Sequence, residues 1–319
     1  MRIRLERDVL AEAVQWAARS LPTRPSVPIL AGLMIRAADG QVVLSSFDYE
    51  TSAQVTVKAE VTDEGVALVS GRLLAEIARS LPNKPVELTA DATKVELVCG
   101  TARFTLQTLP VSDYPALPTM PESTGTIASD DFSKAVSQVV VAAGRDELLP
   151  VFTGVRMEIE GDTLSLLATD RYRMALKELP WNPRSTDSEG AALVPARVLA
   201  ETARSMTSGS DVTLSLSAAA TGDGLIGFAG TGAAGTREIT TRLLDGEFPK
   251  VRHLILKAAW FMDKKVYTEK IRSLTAALQA QPKEVFSGKK FLVTGIMLDS
   301  LPVLDLLEEL NVAVVDDLL

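Results

Sequence analysis

One passage occurs twice in this chain. Ala67-Leu68-Val69, then Arg72, Leu74-Ala75-Glu76 and Ala78-Arg79-Ser80, returns as Ala192-Leu193-Val194, Arg197, Leu199-Ala200-Glu201 and Ala203-Arg204-Ser205; the move from 67 to 192 is a shift of 125. A period this long describes a duplicated domain rather than a solenoid unit. The duplication continues on both sides. Pro28, Gly32 and Phe47-Asp48 match Pro150, Gly154 and Thr169-Asp170, from 28 to 150, a shift of 122. Arg103, Leu109 and Tyr114-Pro115 match Arg237, Leu243 and Phe248-Pro249, from 103 to 237, a shift of 134. The growing shift places extra residues in the loops of the second copy, where surface connections tolerate them. The copies cover residues 1–120 and 121–254. Residues 255–319, about half a copy in length, carry none of the repeated pattern and form a third, different segment.

Hydrophobic periodicity gives each copy the same order. Residues 5–18 place Leu10, Ala13, Val14 and Ala17 on one face, with Asp8 near the start, which predicts an amphipathic helix. Its counterpart opens at Ser129-Asp130-Asp131 and runs through Phe132, Ala135, Val136 and Val139, again a shift of 122 (10 to 132). A hairpin follows: residues 33–37 and 42–46 about Asp39-Gly40, matched by 155–159 and 163–167 about Glu160-Gly161-Asp162. Second helices are expected over 72–81 and 197–206, with strands at 86–88, 95–98 and 103–108 and their partners. Each copy thus reads as helix, hairpin, strand, helix, hairpin, an α+β unit of two similar halves.

The composition narrows the function. The formal net charge is −8, with 46% hydrophobic and 23% charged residues, an ordinary globular balance. That charge argues against coating nucleic acid indiscriminately, and leaves room for a local basic surface on an acidic body. No apolar run approaches the ~18 residues of a membrane span, and the N-terminus lacks a signal-peptide core, so a cytoplasmic protein without membrane partners is expected. One cysteine, Cys99, and one histidine, His253, leave no disulfide and no soft-ligand metal cluster. No nucleophile elbow, Walker loop or dinucleotide fingerprint occurs, so no catalytic residues and no cofactor are expected. Asp48 and Asp170 follow equivalent strands, where the plain reading is a turn residue bonded to backbone. Arg72 and Arg79, like Arg197 and Arg204, lie seven apart on one helical face. They are either a basic surface shared by both copies or solvated arginines partly paired with Glu76 and Glu201 at helical spacing.

Four stretches resemble the beta subunit of the bacterial DNA polymerase III sliding clamp: Arg24-Pro25-Ser26-Val27-Pro28-Ile29-Leu30, Thr169-Asp170-Arg171-Tyr172-Arg173-Met174, Val194-Pro195-Ala196-Arg197 and Asp245-Gly246-Glu247-Phe248-Pro249. The resemblance implies two tandem DNA-clamp domains, at 1–120 and 121–254, in a non-catalytic processivity factor that encircles double-stranded DNA. Clamps of this family are head-to-tail homodimeric rings with three copies per chain, and phosphate contacts independent of sequence let such a ring slide. By this carry-over Arg24, Arg72 and Arg197, with Arg79 and Arg204, face DNA. Phe152, Thr169, Tyr172, Arg173, Met174, Pro249 and Leu254 match the pocket that takes short linear peptides from polymerase, clamp loader and repair proteins. With no third copy after residue 254, ring closure and half of that pocket come into question.

The last segment reads as helix (267–279), strand (290–297), helix (302–310) and strand (312–315), a short Rossmann-like βαβ fragment. Leu292-Val293-Thr294-Gly295-Ile296-Met297-Leu298-Asp299-Ser300 and Val314-Val315-Asp316-Asp317-Leu318 resemble 2-hydroxyacyl-CoA dehydratase and benzoyl-CoA reductase subunits, although the cysteines that hold a cluster in those enzymes are missing. A clamp joined to such a fragment reads as a chimera. The alternatives are a component of a dehydratase-type enzyme and a fusion without function.

Overall fold

The computed structural model describes residues 1–25, 27–185, 189–217 and 224–244, with the backbone of 289–294 and 312–318. The first copy contains β1 (Arg2–Leu5), α1 (Arg7–Ala17), β2 (Gly32–Ala38), β3 (Gln41–Phe47), β4 (Thr51–Lys58) and β5 (Glu60–Asp63). It continues with β6 (Gly65–Ser70), α2 (Gly71–Ser80), β7 (Val86–Ala90), β8 (Lys94–Cys99) and β9 (Ala102–Leu109). The second copy repeats the order: β10 (Gly125–Ala128), α3 (Ser129–Val139), β11 (Gly154–Glu160), β12 (Thr163–Thr169) and β13 (Met174–Pro180). After these come the short β14 (Asn182–Pro183), β15 (Glu189–Pro195), α4 (Ala196–Ser205), β16 (Asp211–Leu216), β17 (Leu225–Gly232) and β18 (Gly235–Arg242). Beyond them, β19 (Lys289–Thr294) and β20 (Val312–Leu318) pair in parallel. The two helices and the remainder of the Rossmann-like reading lie outside the described residues.

The chain divides into two units, Met1–Ala168 with Ala175–Asp245, and Thr169–Met174 with Gly246–Leu319. In the first, helices cover antiparallel sheets. α1 buries Leu10, Ala13, Val14 and Ala17, and α2 buries Leu74, Ile77 and Ala78. Leu33, Ile35, Leu44, Val55 and Val69 come from the strands and are fully enclosed. In the second copy Phe132 of α3 meets Phe228 of β17, ring centroids 5.8 Å apart, among Val136, Val155, Leu166 and Leu199. Each fully buried side chain of this size contributes about 1.5–3 kcal/mol of transfer free energy. The hairpins form where expected. Asp39 and Gly40 both have positive φ (51° and 70°), the two-residue turn whose twist matches the strands, and Gly161 (φ 57°) supplies the corresponding first turn position in the second copy.

The helix boundaries differ from the sequence reading by one or two residues, with α2 and α4 running Gly71–Ser80 and Ala196–Ser205. Leu5 is not helical: it ends β1, paired with Val86 and buried, and α1 begins at Arg7. β1 and β10 precede the first helix of each copy, and three strands stand where the sequence reading has one between the hairpin and the second helix: β4, β5 and β6 in the first copy, β13, β14 and β15 in the second. Cys99 is buried, its thiol donating to the carbonyls of Pro82 and Lys84 at 3.2 Å. His253 lies outside the described residues.

The two copies join through backbone. β18 pairs antiparallel with β4, from Thr236 opposite Thr56 to Thr241 opposite Thr51. Among the described residues this makes one sheet of 14 strands running through both copies. At the start of β18, Gly235 (φ 155°) would carry a Cβ 2.2 Å from the carbonyl oxygen of Thr56, so the approach of the two copies requires glycine there. Arg237 of β18 is 4% exposed. Its guanidinium donates to the Ser205 carbonyl at the end of α4 (2.5 Å) and to the Glu12 carboxylate of α1, and lies 5.1 Å from the centre of the Trp16 ring. One side chain thus connects helices of both copies to the joining strand.

Truncating Arg237 strands the Glu12 carboxylate. Arg237→Ala is expected to destabilise the chain by about 2–5 kcal/mol in denaturant unfolding, whereas Arg237→Met with Glu12→Leu, which removes both charges, loses much less. Equal losses in the two variants would contradict a charge-paired junction.

Candidate nucleic-acid interface

The arginine faces begin with helix periodicity. α2 buries Gly71, Leu74, Ile77 and Ala78, which turns Arg72, Glu76 and Arg79 outward. α4 buries Ala196, Leu199, Ala200 and Ala203, which exposes Arg197 and Arg204. Arg7 caps the end of α2, its guanidinium donating to the carbonyls of Leu81 (3.2 Å) and Arg79 (3.1 Å), a cation where the helix dipole is negative.

The sheet junction then brings distant arginines together. The Arg72 guanidinium donates to the Pro22 carbonyl at 2.9 Å. Pro22 lines a cavity of about 300 Å³ between the copies, together with Arg19, Leu21, Asp48, Arg197 and Glu201. Arg24 is exposed one residue past Thr23, another lining residue. Arg19, Arg24, Arg72 and Arg197 therefore collect around the 19–24 segment. Arg79 and Arg204 lie two helical turns farther along, about 10 Å by the helix rise.

Of the two readings of these arginines, the one that pairs them with Glu76 and Glu201 finds no such ion pair among the described residues. Among the described residues none of Arg19, Arg24, Arg72, Arg79, Arg197 and Arg204 has a carboxylate partner. Arg72 turns toward Pro22 instead, and Glu201 faces the cavity. Asp48 is occupied locally, its Oδ1 accepting the backbone N–H of Glu50 (3.0 Å) and Thr51 (2.7 Å). Sequence reading missed Arg19, and its only signal was another arginine five residues before Arg24.

Asp170 repeats the geometry of Asp48. Its Oδ1 accepts the N–H of Tyr172 (3.1 Å) and Arg173 (2.9 Å), and its Oδ2 the Arg173 Nε (3.0 Å). Tyr49 (φ 74°) and Arg171 (φ 78°), each directly after its aspartate, hold the same left-handed backbone. The turn of residues 169–174 leaves Tyr172 71% exposed, with the Arg171 guanidinium 6.0 Å from its ring centre. Thr169 is buried and donates to the Arg173 carbonyl at 2.8 Å, and Met174, half-buried, opens β13. In the first copy the position of Thr169 holds Phe47, packed with Met34, Leu68 and Tyr114. Phe152 sits in the 3₁₀ turn Pro150–Thr153. Pro249 and Leu254 lie outside the described residues.

Partial burial pushes the Asp170 carboxyl up. The N–H groups of Arg173 and Tyr172 and the Arg173 guanidinium outweigh that, and the group titrates below its ordinary value of 3.8. A carboxyl held low stabilises the fold above the ordinary carboxylate range, and that contribution disappears as pH falls through the lowered value. Asp170→Ala is therefore expected to speed amide exchange at Tyr172 and Arg173 severalfold near neutral pH and to have little effect in strong acid. An equal effect at both pH values would contradict the turn's dependence on the carboxylate.

Comparison with known proteins places this geometry. Residues 1–118 match the model of the DNA polymerase III beta subunit, N-terminal domain, and residues 126–250 that of the central domain. A beta sliding clamp of Streptomyces coelicolor is 59% identical over 254 residues, covering 80% of this chain and 66% of the relative. One from Micrococcus luteus is 49% identical over 254 residues, covering 80% of each. The crystal structure of the Bacillus subtilis DNA polymerase sliding clamp superposes with a TM-score of 0.72 at 25% identity, over 80% of this chain and 67% of that one. The chain thus spans just under two thirds of the length of its Streptomyces relative. Among the described residues no helix is long and apolar enough to cross a membrane.

Proposed function

The chain belongs to the bacterial beta sliding clamp family, and from that membership we propose that it is a non-catalytic DNA replication processivity factor of the cytoplasm, holding double-stranded DNA through the arginines at its copy junction. The observation that carries this reading is the gathering of unpaired Arg19, Arg24, Arg72 and Arg197 from two copies around one segment. Unpaired guanidinium groups spread over a surface hold phosphates without reading bases, which is what a sliding contact needs. Arg79 and Arg204 extend the same face. The acidic remainder of the chain repels DNA elsewhere and confines it to this surface.

A second role falls to the turn of residues 169–174. The exposed Tyr172, the half-buried Met174 and the ordered Asp170–Arg173 pair supply apolar and polar contacts of the kind that capture short linear peptides. We assign to this turn the docking of polymerase, clamp loader and repair partners. The first copy fills the equivalent position with Phe47, which supports giving peptide capture to the second copy, where Thr169 is small. Phe152, Pro249 and Leu254 remain part of that proposed pocket. The homodimeric ring of the family depends on a third copy, which residues 255–319 do not supply in sequence. Residues 292–300 and 314–318 resemble a dehydratase fragment, and on that likeness we propose a chimeric origin for the chain.

Arg72→Glu with Arg197→Glu is expected to weaken duplex binding by an order of magnitude or more at low salt and to lower the slope of log affinity against log salt by roughly 2. An unchanged slope would remove these residues from the DNA contact. Met174→Asp is expected to lower the affinity of a polymerase-tail peptide at least tenfold in fluorescence anisotropy while leaving duplex binding intact. Equal peptide binding by both proteins would move the docking site elsewhere.

A further inference from the structure

The two copies fill one equivalent place differently. In the second copy the chain leaves β13 at Trp181, whose backbone N–H donates to the carbonyl of Asp162 (3.1 Å) and whose indole Nε1 donates to the carbonyl of Gly161 (2.9 Å). Trp181 is 4% exposed, and its ring lies so close over β10 that a Cβ on Gly125 would overlap it. In the first copy its counterpart is Ala59 (59 to 181, a shift of 122), which makes the same backbone bond, its N–H donating to the carbonyl of Gly40 at 3.0 Å. The backbone frame is shared, and the first copy has no indole in it.

An open groove of about 660 Å³ lies at Ala59, with Arg4, Leu5, Asp39, Lys58 and Glu60 in its lining. The acceptor for an indole is in place. Asp39, the counterpart of Gly161 (39 to 161, a shift of 122), lies in the turn between the paired residues Ala38 and Gln41, as Gly161 lies between Glu160 and Thr163, so each carbonyl stands outside its ladder. The floor differs. Gly125 is replaced by Ile3, which is 1% exposed (3 to 125, a shift of 122), so a ring entering the first copy cannot sink to the depth of Trp181 and rests nearer the surface. The rim there carries both signs: Arg4 and Lys58 are exposed, and Glu60 lies 4.0 Å from Arg4. Cations so placed favour the face of an aromatic ring.

We infer that this groove docks a tryptophan side chain presented by a protein partner, its ring over Ala59 and its N–H donating to the Asp39 carbonyl. An enclosed indole finds a hydrogen-bond partner for its N–H, and an aromatic anchor seated in a pocket with a polar rim carries much of the energy of a protein interface. The second copy supplies its own tryptophan and is closed to such a partner. The inference rests on the exchange of Ala59 for Trp181 and on neither the DNA nor the peptide reading, so it can fail without them.

Titration of the full chain with N-acetyltryptophanamide, followed by amide NMR, tests it. The amides of Asp39, Gly40 and Ala59 are expected to shift together, while those of Gly161, Asp162 and Trp181, whose place is filled, stay fixed. N-acetylphenylalaninamide, which lacks the ring N–H, is expected to bind about fivefold more weakly. Ala59→Trp supplies the ring from the chain itself, and Ala59→Arg covers the floor with a charged side chain; each is expected to abolish the response at Asp39 and Gly40. The two variants block the groove by different chemistry, so a folding defect in one leaves the other as a test. No shift at Asp39 and Gly40, equal binding of the two probes, or a response that persists in a folded Ala59 variant would overturn the inference.

Discussion

The arrangement depends on a backbone ladder between two strands that belong to different copies. β18 and β4 exchange hydrogen bonds along six residue pairs, from Thr236 with Thr56 to Thr241 with Thr51. Backbone pairing of this kind fixes translation and register together, since a slip of one residue would turn every side chain to the opposite face. Register here decides which arginines become neighbours. It brings α4 of the second copy to the 19–24 segment of the first, so that Arg197 lines the same cavity as Pro22, whose carbonyl holds Arg72. The basic surface is therefore a property of the junction rather than of either copy.

Arg237 shows how side chains refine what the backbone fixes. Its Nε and the Oε2 of Glu12 are buried without hydrogen-bond partners, so the pair is not fully satisfied. A half-buried pair that is only partly satisfied adds little net stability and gains meaning as a device of specificity. The copies have diverged at the positions where such devices act. Glu12 and Lys134, Val55 and Lys177, and Phe47 and Thr169 occupy equivalent places with opposite chemistry, while the core positions Leu10 and Phe132 or Val14 and Val136 keep theirs. Conserving the core preserves the fold twice, while the junction positions are free to differ.

Much of this was legible in the sequence because it is local. The hairpins follow from alternation and from Asp39-Gly40 and Gly161, the helices from apolar residues three and four apart, and the turn role of Asp48 and Asp170 from their place after a strand. β1, β5, β10 and β14 escape the sequence reading because two to four residues are too few to establish a period, and Leu5 falls into the helix for the same reason; β4 and β6, like β13 and β15, are read as one strand because the alternation does not show where the chain turns between them. The junction was invisible for a different reason. Glu12 and Arg237 are separated by 225 residues, and periodicity within one copy carries no information about which strand edge meets which. Helical spacing left pairing with Glu76 and Glu201 open beside a basic face, because spacing reports proximity only, whereas the hydrogen-bond partner of Arg72 lies on another segment. Arg19 was passed over because nothing local distinguishes an arginine at a junction from one in solvent.

The most direct test of the account is arginine-selective chemical modification of the intact chain, with and without duplex DNA, read residue by residue by mass spectrometry. If the copy junction holds DNA, Arg19, Arg72 and Arg197 become protected together, in a salt-dependent manner, while Arg103 reacts as before. Protection at Arg103 without the junction arginines, or no protection at any of them under conditions where the DNA is bound, would contradict it.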